Sequence, residues 1–145
     1  MDRKIRVGII GCGGIAGAHI VGYKSIPELA EVVACCDLDG NKAERYAKNN
    51  GIPAFYTDYK EMFEKENLDA VSVCTWNAAH APATIDALNA GINVLCEKPM
   101  AMNTEQALAM KEAAEKNGKL LMIGFVRRFG NDAEILKKFI DEGTM

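Results

Sequence analysis

The residue types best suited to chemistry come early, in Gly11-Cys12-Gly13-Gly14-Ile15-Ala16, directly after the apolar run Ile5 to Ile10. Set between a strand and a helix, this stretch has the form of a diphosphate cradle, G-x-G-x-x-G/A, with Ala16 in the third place. Gly11 permits the tight turn and Gly13 lets the backbone approach a pyrophosphate. A small residue at 16 lets the helix lie close to the strand. Unpaired N–H groups at the helix start, backed by the positive end of its dipole, would then face the anion. A second apolar run ends on Asp37, about twenty residues beyond the loop, where a carboxylate can accept hydrogen bonds from the hydroxyls of an adenosine ribose.

Asp37 also speaks to the choice of dinucleotide. Its charge would repel a 2′-phosphate, and Leu38-Asp39-Gly40-Asn41 carries no Arg or Lys to offset that repulsion. NAD is therefore favoured over NADP. Cofactor contacts are expected at Gly11, Gly13, Gly14, Ile15, Ala16, Asp37 and Leu38.

Lys98, within Glu97-Lys98-Pro99, is the second chemical candidate. Oxidising an alcohol by hydride transfer requires the hydroxyl proton to leave, and a positioned Lys can accept it or hold the developing alkoxide. A nearby positive nicotinamide ring and partial desolvation would both favour the neutral amine that a base needs. On the residues alone, a solvated Lys in a turn before Pro99 stays open as the plainer alternative.

Regular alternation of strands and helices must position these groups. Helix patterning runs from Gly14 to about Ser25, and Glu31 to Cys36 forms the second strand. His19, inside that first helix, reads as structural. Asp39 can cap a helix that buries Ala43, Tyr46 and Ala47 and stops at Gly51. Ala54-Phe55-Tyr56 is a third strand, after which Thr57 is expected to cap a helix with Tyr59, Met62 and Phe63 on its apolar side. The nearly all-apolar run Ala70 to Cys74 suits a strand buried on both faces and breaks at Thr75-Trp76-Asn77. A helix follows with Pro82 expected in its first turn, Ala81, Ile85 and Leu88 on one stripe, and Gly91 as its stop. Ile92 to Cys96 is the fifth strand. Asn103 and Gln106 form a capping pair for a helix to Asn117, which turns Ala107, Met110 and Ala114 inward before Gly118. Leu120 to Ile123 is the sixth strand, and an amphipathic helix with Ile135, Leu136, Phe139 and Ile140 closes the chain near Gly143.

Such alternation implies a doubly wound parallel six-stranded sheet, a Rossmann fold in three α/β/α layers, with strand order 3-2-1-4-5-6. Ligands in these sheets bind beyond the carboxyl ends of the strands. Four segments should meet there: the Gly loop, Thr75-Trp76-Asn77, Glu97-Lys98-Pro99, and Phe125 to Phe129. One nucleotide domain is expected to fill residues 1–145, leaving no chain for a second.

The bulk numbers exclude several other classes. A net charge of −3 offers no basic field for nucleic acid. No apolar run reaches the roughly twenty residues of a membrane helix. Met1-Asp2-Arg3-Lys4 leads straight into a strand, which is the expectation for a cytoplasmic chain without a signal peptide. Cys12, Cys35, Cys36, Cys74 and Cys96 are odd in number and form no C-x-x-C pair, so they read as buried free thiols. No metal site is expected, because the two histidines are not spaced with the cysteines as ligands.

The segments VGIIGCGGIAGAH, the strand ending ACCD, YTDY, VSVCTWNAAHA, NAGINVLCEKPMA and IGFVRRF follow one another along nearly the whole chain. In this the chain resembles the N-terminal domain of the glucose–fructose oxidoreductase / inositol dehydrogenase (Gfo/Idh/MocA) family, with an inositol dehydrogenase-like flavour. The resemblance implies an NAD(P)-dependent dehydrogenase acting on CH–OH groups of a sugar or polyol, with Lys98 catalytic and in contact with both cofactor and substrate. It further implies that Thr75, Trp76, Asn77, His80 and Glu97 lie along the cofactor, and that Val126 and Arg127 shape the substrate pocket. Capping of a helix start by His80 and solvation of Arg127 stay open beside these roles.

Two departures stand out against that family. Its members usually carry Pro where Trp76 stands, and an indole there could stack on a ring or cover the site. They also continue into a second α/β domain that supplies substrate contacts, and this domain is absent from the present 145 residues. The chain is thus expected to be the NAD-binding part of an oxidoreductase with little activity alone. Surface near Met100-Ala101-Met102 and Phe125 to Phe129 would be left apolar and prone to self-association. A stand-alone nucleotide-binding or redox-sensing module, or one half of a split dehydrogenase, are the alternatives.

Overall fold

The computed structural model describes residues 3–144. Met1, Asp2 and Met145 lie outside the described residues, so the expectation placed on the first of these belongs to the sequence alone. Among the described residues, six strands and six helices alternate as β1 (Ile5–Ile10), α1 (Gly14–Lys24), β2 (Ala30–Cys36), α2 (Gly40–Asn50), β3 (Ala54–Tyr56), α3 (Tyr59–Lys65), β4 (Ala70–Val73), α4 (Asn77–Asn89), β5 (Asn93–Cys96), α5 (Thr104–Asn117), β6 (Leu121–Ile123) and α6 (Asn131–Asp141). A 3₁₀ turn, Val126–Phe129, precedes α6. All pairings are parallel and the sheet order is β3-β2-β1-β4-β5-β6, the order expected of a doubly wound fold.

Strand alternation divides the core between the two faces of the sheet. Ile9 and Cys35 face α1 and α2 with Ala16, Ile20 and Ala47. Ile10, Ala34 and Cys36 turn the other way, toward Met62 of α3, Leu88 of α4 and Met110 of α5. The central strands are therefore covered on both sides, which explains why β4 shows no polar alternation.

The caps follow the sequence closely, with two corrections. Asp39 caps α2 through the amides of Asn41 and Lys42, and Asn103 caps α5 through the amide of Gln106. Gly51 and Gly118 close those helices in the left-handed conformation, which costs glycine least. Asp58, and not Thr57, caps α3, accepting from the Lys60 amide at 2.8 Å. Pro82 lies in the second turn of α4, because that helix begins at Asn77 instead of near Ala81. Helix α6 buries none of its residues, and Ile135, Leu136, Phe139 and Ile140 stand exposed together with Phe125, Val126 and Phe129. Met102 is exposed as well, whereas Met100 and Ala101 pack against the core, so the expected apolar surface is narrower around residue 100 and broader along α6.

Candidate cofactor site

The carboxyl ends of β1, β2 and β4 open into a cleft of about 550 Å³. Gly11 forms its floor at φ +91°, where a Cβ would come within 2.7 Å of the Cys74 carbonyl oxygen. Both the dihedral and the close approach of β4 thus demand glycine. A Cβ on Gly13 or Gly14 would meet nothing within 4 Å, so the loop backbone faces open space. No side chain caps α1, which leaves its first-turn amides available to a ligand. Ala16 is fully buried behind the loop, and its carbonyl accepts from the Tyr46 hydroxyl at 2.8 Å. Ile15 and Leu38 stand at the two rims.

Asp37 points into this cleft, held from three sides. The Cys12 amide donates to its Oδ2 at 2.9 Å and the Asp39 amide to its Oδ1 at 3.1 Å. Lys42, on the first turn of α2, places its Nζ 2.7 Å from Oδ2. Burial by itself would raise the Asp37 carboxyl, but the Lys42 ammonium and the two amides outweigh it and hold the group below its usual range. Lys42 stands one residue past the stretch 38–41, which carries no Arg or Lys, so the sequence alone does not show that it offsets the Asp37 charge. The signal that could have found it is its place three residues after the cap Asp39, on a helix that starts at the cleft.

Thr75 and Trp76 line the opposite wall. Thr75 Oγ1 is buried without a hydrogen-bond partner, and Trp76 is 69% exposed. Of the residues expected along the cofactor, Gly11, Gly13, Gly14, Ile15, Asp37, Leu38, Thr75 and Trp76 form the cleft together. Asn77 is exposed at the start of α4, outside the cleft walls. His80 and Glu97 are buried behind them. The ring nitrogens of His80 lie 2.7 Å from the Pro99 carbonyl oxygen and 3.1 Å from that of Thr75, so this side chain ties the turn after β4 to the turn after β5. Lys98 is exposed on that second turn, and its amide donates to Glu97 Oε2 at 3.2 Å. Val126 and Arg127 are exposed on the 3₁₀ turn after β6.

The five cysteines are buried and free. Burial pushes the thiols of Cys36 and Cys74 up to about 12 and that of Cys96 up to about 11. A hydrogen bond with Cys12, then burial, raises Cys35 as well. Such thiols stay protonated and do no nucleophilic chemistry at neutral pH.

An anion cradle without protruding side chains, open helix amides and a carboxylate beyond the second strand fit a dinucleotide. The family model described as "Oxidoreductase family, NAD-binding Rossmann fold" (GFO_IDH_MocA) matches residues 5–125. The chain belongs to this family. Among curated relatives, the chain is 37% identical over 144 residues to a D-glucoside 3-dehydrogenase of Escherichia coli, covering 99% of this chain and 41% of that one. It is 35% identical over 143 residues to an inositol 2-dehydrogenase of Salmonella typhimurium, covering 97% of this chain and 43% of the relative. The chain thus spans about two fifths of the length of these relatives.

Solved structures agree. The myo-inositol 2-dehydrogenase of Lactobacillus plantarum superposes with a TM-score of 0.89 at 31% identity, covering 98% of this chain and 42% of that one. The WlbA dehydrogenase of Bordetella pertussis, solved with NADH and UDP-GlcNAcA, reaches a TM-score of 0.93 at 30% identity, over 97% of this chain and 43% of the other. Among the described residues no helix is long and apolar enough to cross a membrane.

Proposed function

We propose that residues 1–145 are the NAD-binding domain of a dehydrogenase that moves a hydride between nicotinamide and a sugar or polyol. The cleft carries this reading: Gly13 and Gly14 leave room for a diphosphate over the α1 amides, with Asp37 at the ribose end. NAD, when bound, supplies the hydride acceptor. The chain's own part is to bind and to orient. Gly11 keeps the loop against β4, the α1 amides hold the diphosphate, and Asp37 holds the adenosine ribose. Thr75 and Trp76 wall the other end.

In the same reading Lys98 exchanges the proton of the substrate hydroxyl, with Glu97 holding its backbone. Arg127 and Val126 border the substrate side, exposed on the turn after β6. Asn77, His80 and Glu97 support the nicotinamide end, His80 and Glu97 from behind the wall. The sugar or polyol class follows the inositol and glucoside dehydrogenases among the relatives. Further substrate contacts would come from a second domain outside these residues, so turnover by this chain alone should be negligible, since hydride transfer needs the carbon held against the ring.

The exposed apolar face formed by Phe125, Val126, Phe129 and α6 supports self-association of the isolated chain. Sedimentation over a hundredfold concentration range should show it, and a monomer throughout would argue against it. Buried free thiols suit a reducing, cytoplasmic setting. Calorimetric titration with NAD tests the central claim. Saturable one-to-one binding without myo-inositol oxidation is expected, and no binding of NAD or NADH overturns it.

A further inference from the structure

The pairing of Lys42 with Asp37 changes what the ribose end of the cleft can accept. A carboxylate closing the second strand normally excludes a 2′-phosphate by repulsion. Here Lys42 Nζ sits 2.7 Å from Asp37 Oδ2, and both side chains line the cleft. Asp37 is only 12% exposed, while Lys42 remains 40% exposed and reachable. The carboxylate already accepts from Cys12 and Lys42 on Oδ2 and from Asp39 on Oδ1, which leaves Oδ1 room for one ribose hydroxyl. The ammonium, by contrast, keeps two further N–H groups on a flexible stem. The amides of Asn41 and Lys42 are both taken by the Asp39 cap, so neither is offered to an anion. The Lys42 head is the cationic side chain that lines the cleft there. Asp39 remains as an opposing charge, which keeps the site from preferring the phosphorylated form.

We infer that Lys42 is a specificity-determining residue whose ammonium leaves Asp37 for a 2′-phosphate, so that the cleft takes NADP as well as NAD. The inference rests on the proposal that this cleft binds NAD. Calorimetric titrations of the chain with NAD, NADP and 2′,5′-ADP, repeated with Lys42→Gln and Lys42→Arg, test it. The native chain should bind NADP within about tenfold of NAD, the scale of one charge-assisted contact. Lys42→Gln should lower the NADP-to-NAD affinity ratio, and the affinity for 2′,5′-ADP, by about tenfold, and Lys42→Arg should restore both. Binding of NAD without NADP, or a ratio unmoved by Lys42→Gln, overturns the inference alone. Failure to bind any of the three overturns the NAD reading and the inference with it.

Discussion

His19 Nε2 lies 3.0 Å from Glu97 Oε1, and this buried contact joins α1, the helix beneath the Gly loop, to the turn that carries Lys98. The other ring nitrogen of His19 meets Ser72 Oγ at 3.0 Å, and Tyr23 OH meets the same oxygen at 2.8 Å. One imidazole thus ties α1 to the sheet strand β4 and to the turn after β5. Truncating His19 should leave Glu97 Oε1 buried without a partner, at a cost of about 2–3 kcal/mol. Urea unfolding of His19→Ala should show the midpoint fall with an unchanged slope. A loss below about 0.5 kcal/mol would mean the contact is idle.

Gly11 and Gly13 should respond oppositely to a methyl group. Gly11→Ala places Cβ 2.7 Å from the Cys74 carbonyl oxygen at a positive φ, and stability should drop by more than about 2 kcal/mol. Gly13→Ala meets no protein atom, so its melting temperature should hold while NAD affinity falls at least about tenfold. Thermal melts paired with NAD titration separate the two. Unaltered affinity in Gly13→Ala would place the diphosphate elsewhere.

Asp69 should leave a mark on acid stability. The Arg3 guanidinium, at 2.5 and 2.6 Å, and then the Arg6 amide, at 2.8 Å, hold its carboxyl down at about 2. A carboxyl lowered in the folded state stabilises above its unfolded value, and that contribution disappears as pH falls through the folded one. The window here lies between about pH 4 and pH 2. Asp69→Asn should be less stable than the native chain at neutral pH and should flatten the loss across that window. Parallel acid-unfolding curves for the two proteins would refute the assignment.

The thiols should be silent in the folded protein. All five cysteines are buried, and four are raised well above neutral pH. An aromatic disulfide reagent should label none of them under native conditions and all five in guanidinium chloride. Rapid native labelling would reveal a reactive thiol and revive a redox-sensing role.

Much of the fold was legible because its signals are local. Apolar runs, caps such as Asp39 and Asn103, and stops at Gly51 and Gly118 depend on neighbours a few residues away. The errors were local competitions: Asp58 displaced Thr57 as the cap of α3, and Pro82 was admitted into the second turn of α4. The glycine turn was readable for the same reason, since its residues act through their own backbone. Lys42 was missed because its importance comes from a partner at the end of another element.

By itself, then, the sequence determined the alternation of elements, the glycine loop and the acid that closes the second strand, since each follows from the conformational preferences and periodicity of short stretches. Only the tertiary structure decided that Lys42 reaches Asp37, that His19 grips Glu97, and that His80 stands behind the wall of the cleft. Those pairings join residues far apart in the chain or carried by separate elements, and the winding of the sheet is what brings them within hydrogen-bonding distance.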